Sequence, residues 1–305
     1  MRVLVMGAGG VGGHYGGALQ AAGHSVTFVA RGTHLDALRE RGLDLRIGEH
    51  RLHLMPVDAT DTPPAGRSFD LVLFTVKTYD TAAAIEALRP AIGPTTAVLT
   101  LQNGVESADV LAAAFGADRV VAGTTVMTSM VVAPGVIEAA AMRVLVLAEL
   151  ISPPSPRLAR LADAFREIGA DVTVVSDARQ AIWEKFVLLA PLATLTSACG
   201  QPVGVVREDP ESAALLRQLM SEVANLGRAR GVPLGPDVEE HAWRRLEAAP
   251  ASAKTSMQAD FEAGRRVELE QLTGAVVKLA RERGLAAPAF EALYPVLRLR
   301  SSGAR

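Results

Sequence analysis

The chain has 305 residues, of which 49% are hydrophobic and 21% charged. This composition supports packed cores and excludes an intrinsically disordered chain, and the length suits two domains of about 150 residues each. The formal net charge is −2, from 31 basic and 33 acidic residues, with no long block of either sign. That balance excludes the clustered basic surface of a nucleic-acid-binding protein. Cys199 is the single cysteine, so an internal disulfide is excluded and a reducing compartment is favoured.

Two apolar segments bear on where the protein resides. Met1–Met6 is too short for the apolar region of a signal peptide before glycines interrupt it. The uncharged segment 186–206 is long enough to span a membrane, but its prolines, glycines and hydroxyl residues favour a buried helix and a loop. We therefore expect a soluble, cytoplasmic protein that is not bound to a membrane.

The first half alternates short apolar runs with helical patterns, which is typical of a parallel sheet covered by helices. Strands are predicted at 2–6, 25–29, 43–47, 51–57, 70–76, 97–101, 120–125, 136–138, 143–147 and 171–175. Helices are predicted at 10–22, 33–41, 81–92, 107–115 and 153–168. The strands 43–47 and 51–57 are expected to form a hairpin, and 171–175 to be an edge strand.

The second half has a different pattern, in which strand-like alternation disappears. Helices are predicted at 177–199, 210–230, 236–247, 252–263, 267–283 and 288–299. The fold class expected is α/β: a Rossmann-type dinucleotide-binding domain over residues 1–175, followed by an all-helical substrate and catalytic domain over 176–305.

A glycine-rich motif follows the first predicted strand. Its six residues match G-x-G-x-x-G and are Gly7, Ala8, Gly9, Gly10, Val11 and Gly12. In such a motif the first glycine permits a tight turn, the second lets the backbone approach a pyrophosphate, and the third lets the helix pack on the sheet. The phosphates would lie at the helix N-terminus, where free amides and the dipole favour an anion. The alternative is a glycine-rich turn without a ligand, which the strand–helix setting disfavours.

Arg31 stands at the end of the second predicted strand, where NAD-binding proteins tend to carry an acidic residue. An arginine there can bind the 2′-phosphate of NADP, and no carboxylate would repel it. An ordinary exposed arginine remains the alternative. The sequence therefore predicts NADP as the cofactor, and it predicts no metal site.

Two more strand ends fall at the edge of the sheet where ligands bind. Lys77 follows one of them, and Gln102-Asn103-Gly104 follows the other. A lysine at a strand end is usually only solvated, and Asn-Gly is also a common turn. Their shared location makes Lys77 and Asn103 candidates.

Three residues of the second half are candidates for chemistry. Lys185 enters an apolar helix, so partial burial would lower its pKa and allow it to act as a general acid. A lysine that extends its charge to water is the alternative. Glu268 lies near a helix start and Ser256 shares a helix face with Asp260; neither is remarkable alone.

Taken together, these motifs resemble the ketopantoate reductase family over nearly the whole chain. The segments that carry the resemblance are Gly7–Gly13, Ala30-Arg31-Gly32, Lys77, Gln102-Asn103-Gly104, Trp183-Glu184-Lys185, 256–260 and Arg266-Val267-Glu268. The second-domain motifs are more specific than the glycine loop.

The resemblance implies the function and the role of each candidate. The reaction implied is the NADPH-dependent reduction of 2-dehydropantoate to (R)-pantoate, a step of pantothenate biosynthesis. Lys185 is implied as the catalytic acid, with Glu268 supporting either Lys185 or the substrate, and Ser256 is implied to contact the substrate. Gly7, Gly9, Gly10, Val11, Gly12 and Arg31 are implied to bind the cofactor, with Lys77, Asn103 and Glu268 beside it; Lys77 and Asn103 also contact the substrate. The partner is a small 2-oxo acid, and a homodimer is compatible with the sequence.

The chain departs from the family pattern at two positions. The family commonly has asparagines four and eight residues after the catalytic lysine, where this chain has Leu189 and Ala193. A reductase of another 2-oxo acid or ketone is therefore the nearest alternative function. A non-enzymatic NADP-binding sensor is a second alternative, which the presence of Lys185 and Glu268 disfavours.

Overall fold

The computed structural model of the protein describes residues 1–140, 144–151 and 155–302. Arg143 and Pro153, where two predicted elements begin, lie outside the described residues. The chain divides into two compact units, the first comprising Met1–Gln102 and Glu106–Ala178 and the second Asn103–Val105 and Arg179–Arg305.

The described residues form twelve strands, all of them in the first unit. They are β1 (Arg2–Met6), β2 (Ser25–Val29), β3 (Leu43–Ile47), β4 (His50–Leu54), β5 (Asp58–Thr60), β6 (Leu71–Phe74), β7 (Ala97–Thr100), β8 (Val120–Val126), β9 (Ser129–Ala133), β10 (Val136–Ala139), β11 (Val144–Glu149) and β12 (Asp171–Val174). β6 and β7 are buried at every position, as expected for strands covered on both faces.

Eight of these strands form the main sheet, in the order β12-β11-β8-β7-β6-β1-β2-β5. All neighbouring pairs are parallel except β11 and β8. Because β2, β1, β6 and β7 are parallel neighbours, the residues that follow them lie at one edge of the sheet. The predicted edge position of β12 is confirmed.

Helices of the first unit cover this sheet. They are α1 (Gly10–Ala21), α2 (Gly32–Arg41), α3 (Thr81–Leu88), α4 (Ser107–Phe115) and α5 (Pro156–Glu167). Short 3₁₀ turns at Thr78–Asp80 and Arg89–Ala91 flank α3. Ser155 caps α5, where its hydroxyl accepts a hydrogen bond from the Leu158 amide.

The other four strands form a separate sheet, in the order β4-β3-β10-β9. β3 and β4 are an antiparallel hairpin, as predicted, but they do not join the main sheet. β3 instead pairs in parallel with β10, whereas the sequence predicted a single sheet for the strands of the first half. β9 was not predicted; it pairs with β10 and continues the smaller sheet to its edge.

Helix α1 is buried on all sides from Gly12 to Leu19. One of its faces packs on the main sheet, where a Cβ on Gly16 would lie 2.6 Å from Phe28. Another packs on the smaller sheet, where a Cβ on Gly17 would lie 2.9 Å from Leu43. Glycine at these positions therefore allows α1 to pack between two sheets.

The described residues of the second unit form helices joined by loops and contain no strand, as predicted. Its helices are α6 (Ala178–Cys199), α7 (Val203–Glu208), α8 (Pro210–Ala229), α9 (Val238–Glu247), α10 (Ser256–Glu262), α11 (Ala275–Glu282) and α12 (Pro288–Ser302). The short α7 was not predicted. A π-helical turn over Glu270–Gly274 precedes α11, so the helix predicted at 267–283 is not regular.

Among the described residues, α6 is the one helix long and apolar enough to cross a membrane. More than half of its most apolar 18-residue window is buried inside the protein, at 56%. Phe186, Val187, Ala190 and Ala193 of this helix belong to the core of the second unit. The core helix of a soluble protein has the same length and composition, so this property is weak evidence for a membrane span.

Candidate functional site

The glycine loop follows β1 and is held by the neighbouring strand ends. The amides of Gly7 and Ala8 donate to the Val29 carbonyl at 3.3 and 3.1 Å, and the Thr75 hydroxyl donates to the Gly7 carbonyl at 2.9 Å. Gly7 has a φ of +101°, and a Cβ there would lie 2.8 Å from the Val76 amide nitrogen. Conformation and space therefore both require glycine at this position.

The remaining glycines of the loop differ in what surrounds them. A Cβ on Gly12 would strike the Gly7 carbonyl and Thr75, and one on Gly10 would strike the backbone of Ser129. A Cβ on Gly9 would meet nothing within 4 Å. Packing within the protein thus explains Gly12 and Gly10 but leaves the space beside Gly9 for a ligand.

The start of α1 fits the phosphates of a dinucleotide. Its N-cap residue, Gly9, provides no side-chain hydrogen bond, and the first turn contains no acidic residue. Amides at a helix N-terminus, together with the helix dipole, favour an anion. The space that a side chain at Gly9 would fill is therefore available to a pyrophosphate.

Arg31 lies where the sequence predicted a phosphate ligand. It follows β2, is the N-cap residue of α2, and is exposed. Among the described residues its guanidinium forms no ion pair or hydrogen bond. Its charge is therefore available to a ligand at the carboxyl edge of the sheet.

Lys77 and Gln102 follow β6 and β7, at the same edge. The Gln102 side-chain amide donates to the Val76 carbonyl at 2.8 Å and to the Thr81 hydroxyl at 2.9 Å. Gln102 therefore fixes the backbone immediately before Lys77. No role was predicted for Gln102, although its position at a strand end was a usable signal.

Lys185 lies in the second turn of α6. Its ammonium donates to the side-chain oxygen of Asn103 at 3.0 Å, within the second unit. Burial lowers the pKa of Lys185 to about 8, and the charge of Glu268 partly opposes this effect. An amine with this pKa is mostly protonated at neutral pH, yet it gives up its proton far more readily than an ordinary lysine.

Asn103 and Glu268 both lie beside the π-helical turn. Gly104, with a φ of +94°, lies so close to this turn that a Cβ would be 3.0 Å from the Gln271 carbonyl oxygen. Glu268 is buried, with 6% of its surface exposed. The structure thus brings together Lys185, Asn103 and Glu268, which the sequence could only name separately.

Ser256 is exposed at the first position of α10. The preceding Thr255 caps this helix through the Gln258 amide, and its hydroxyl lies 3.3 Å from that of Thr196 in α6. This contact fixes the start of α10 against α6, while the Ser256 side chain remains accessible. Asp260 is instead paired with Arg265 at 2.8 Å and has a structural role.

Leu189 and Ala193 do not have equivalent surroundings. Leu189 is partly buried against the core, whereas Ala193 is fully buried within it. Ala193 therefore presents no surface to a ligand. Of the two apolar replacements, only Leu189 can affect the choice of substrate directly.

Comparison with known proteins assigns the chain to a family. The model of the ketopantoate reductase PanE/ApbA family matches residues 3–151, and that of its C-terminal region matches residues 177–301. The 2-dehydropantoate 2-reductase of Halobacterium salinarum is 34% identical over 301 residues, which is 98% of each chain.

Solved structures show the same architecture. The PanE/ApbA family ketopantoate reductase from Ralstonia eutropha JMP134 has a TM-score of 0.91 and 33% identity, covering 100% of this chain and 99% of that one. A D-mandelate dehydrogenase with NADH and anilino(oxo)acetate has a TM-score of 0.93 over 100% and 99% of the two chains, at 18% identity, and therefore shows the fold alone. With both family models matched and a relative above 30% identity across the chain, this protein is an oxidoreductase of the ketopantoate reductase family.

Proposed function

We propose that the protein reduces 2-dehydropantoate to (R)-pantoate with NADPH, as a cytoplasmic enzyme of pantothenate biosynthesis. The observation that carries this proposal is the hydrogen bond between Lys185 and Asn103 together with the lowered pKa of Lys185. A protonated amine of this kind is suited to polarise a ketone and to protonate its oxygen.

Lys185, Glu268 and Asn103 have separate roles in the proposed reaction. Reduced nicotinamide, when bound, supplies a hydride to the carbonyl carbon. The Lys185 ammonium donates a hydrogen bond to the ketone oxygen and then its proton, and the neutral amine that remains regains a proton from water. The Glu268 charge favours the ammonium, and the Asn103 oxygen orients it.

The cofactor and the substrate are proposed to bind to different parts of the chain. Residues 1–175 would bind NADPH, through Gly7, Gly9, Gly10, Val11, Gly12 and Arg31. Lys77 and Asn103 would serve both cofactor and substrate, and Glu268 both Lys185 and the cofactor. Residues 176–305 would supply the acid and bind the 2-oxo acid, with Ser256 as a substrate ligand. The proposed biological unit is compatible with a homodimer.

A second candidate function is the reduction of another 2-oxo acid or ketone, which Leu189 favours. A site that hydrogen-bonds a substrate hydroxyl discriminates strongly against analogues without it, because its own polar groups would be left unpaired. Leu189 has no polar group to leave unpaired, so it does not discriminate against substrates that lack the hydroxyl. A D-mandelate dehydrogenase that shares this fold was solved with NADH and anilino(oxo)acetate, which is compatible with this second candidate.

Assay of the purified protein with NADPH against a panel of 2-oxo acids tests the proposal. We expect ketopantoate to give the highest kcat/KM, but by a smaller ratio over 2-oxoisovalerate than in a family member with both asparagines. A ratio as large as that reference would show that another residue supplies the missing contact. A higher kcat/KM for another acid would replace ketopantoate as the substrate.

Arg31 is expected to set the cofactor preference. NADPH should bind at least tenfold more tightly than NADH, since a tenfold ratio needs only about 1.4 kcal/mol from a charge-assisted phosphate contact. Arg31→Ala should abolish this ratio by weakening NADPH alone, as measured by fluorescence titration. Arg41→Ala, at the other end of α2, is the matched control and should keep the ratio. Equal affinities in the parent protein would contradict the assignment of Arg31.

A further inference from the structure

His34 contacts the glycine loop without being part of the motif. It lies in the first turn of α2, three residues after Arg31, and is partly buried. Its Nε2 lies 2.8 Å from the Ala8 carbonyl oxygen, and its Nδ1 lies 3.1 Å from the Gly135 amide nitrogen. Gly135 belongs to the turn that joins β9 to β10 in the smaller sheet.

These two contacts determine the state of the ring. A backbone amide can only donate, so Nδ1 must be the unprotonated acceptor of the Gly135 hydrogen. The proton of the neutral ring is then on Nε2, which donates to Ala8. Burial lowers the pKa of His34, and this agrees with a neutral imidazole that links the two segments.

Holding the Ala8 carbonyl has a consequence for the next amide. The Ala8 carbonyl and the Gly9 N–H belong to one planar trans peptide, so they point in opposite directions. A hydrogen bond that fixes the carbonyl toward His34 therefore directs the Gly9 amide to the other side of the loop. A Cβ on Gly9 would meet nothing within 4 Å, so the loop is open beside this residue.

We propose that His34 is a positioning residue for the dinucleotide: it links Ala8 to Gly135 and thereby orients the Gly9 amide toward the pyrophosphate. The proposal rests on the proposed binding of NADPH at this loop. Because the pyrophosphate is common to NADPH and NADH, His34 must affect both cofactors equally, unlike Arg31.

Titration of NADPH and NADH against His34 variants tests this role. We expect His34→Ala to weaken both cofactors by about tenfold, the effect of losing a positioned hydrogen bond, and to leave their ratio unchanged. The KM for the cofactor should rise. The kcat and the KM for the oxo acid should stay within about twofold, since the proton donor Lys185 lies in the other unit. His34→Gln offers both a donor and an acceptor and should recover most of the affinity.

Two controls separate this role from general destabilisation. His53→Ala removes an exposed histidine of the smaller sheet and should change neither affinity. The melting temperature of each variant without cofactor identifies any loss of folding, and His34→Gln then provides the decisive comparison with the parent.

An unchanged affinity in a folded His34→Ala, or no recovery in a folded His34→Gln, would overturn the positioning role. So would a changed NADPH-to-NADH ratio. A parent protein that binds neither dinucleotide would instead overturn the proposed function, and this inference with it.

Discussion

Lys185→Ala is expected to lower kcat for ketone reduction by roughly a hundredfold or more, the usual cost of removing a positioned proton donor. The binding of NADPH should survive, because the loop and Arg31 proposed to hold its phosphates belong to the first unit. Single-turnover kinetics, which separate chemistry from product release, provide the measurement. Near-normal turnover on the best substrate would refute the catalytic assignment.

Two further variants test whether the reaction needs the proton of Lys185 or only its positive charge. Lys185→Arg keeps a positive charge but cannot release a proton at ordinary pH, so it should remain well below the parent rate. Lys278→Ala removes an exposed lysine from α11 and should leave kcat unchanged. Full activity in Lys185→Arg would mean that the residue acts through its charge alone.

The pH profile of kcat/KM should decline above about pH 8, approaching a tenfold loss for each further pH unit. The pKa of Lys185 is lowered to about 8, and only its protonated form can donate. The acid is therefore present below this pH and is lost as the pH rises through it. A profile that stays flat to pH 10 would exclude Lys185 as the proton donor.

Glu268→Gln should move this decline to lower pH. The Glu268 carboxylate raises the pKa of Lys185 against the effect of burial, so its removal leaves burial unopposed. Glu270→Gln is the matched control, because Glu270 accepts from the Tyr294 hydroxyl at 2.8 Å and does not contribute to the Lys185 shift. An unshifted decline in Glu268→Gln would show that Glu268 does not act through Lys185.

The sequence predicted the main sheet well because its strands are local apolar runs. β1 and β2 have the predicted ends, and β6 and β7 differ by one or two residues at their ends. Buried parallel strands are apolar at nearly every position and are bounded by turns, so each can be identified by itself.

Only the β3–β4 hairpin of the smaller sheet was predicted, because the central pairing of that sheet is not local. β3 and β10 are about 90 residues apart in the sequence, and a parallel pairing leaves no turn signal between its partners. β9 did carry a signal, since Met130, Val131 and Val132 precede a Pro-Gly turn. Their side chains are exposed, however, and show no alternation of apolar and polar residues.

The sequence indicated individual candidate residues of the site but not which of them contact one another in the folded protein. The lysine at the mouth of an apolar helix left two alternatives for Lys185, a lowered pKa or a solvated charge, and its burial in the structure favours the lowered pKa. Its contact with Asn103 depends on how residues 82 positions apart pack together, and no local pattern contains that information. Ala193 was named beside Leu189 from its spacing to Lys185 alone, and that spacing did not indicate that Ala193 is fully buried in the core.

The position of α1 between two sheets also bears on how the protein assembles during synthesis. The helix is encoded within the first 21 residues, but one of its faces is covered by strands at 43–54 and 129–139. Chains emerge from the ribosome at about 5–20 residues per second, and domains generally fold as units. The cofactor loop, although among the first segments translated, can therefore reach its final packing only after the β9–β10 hairpin has left the ribosome.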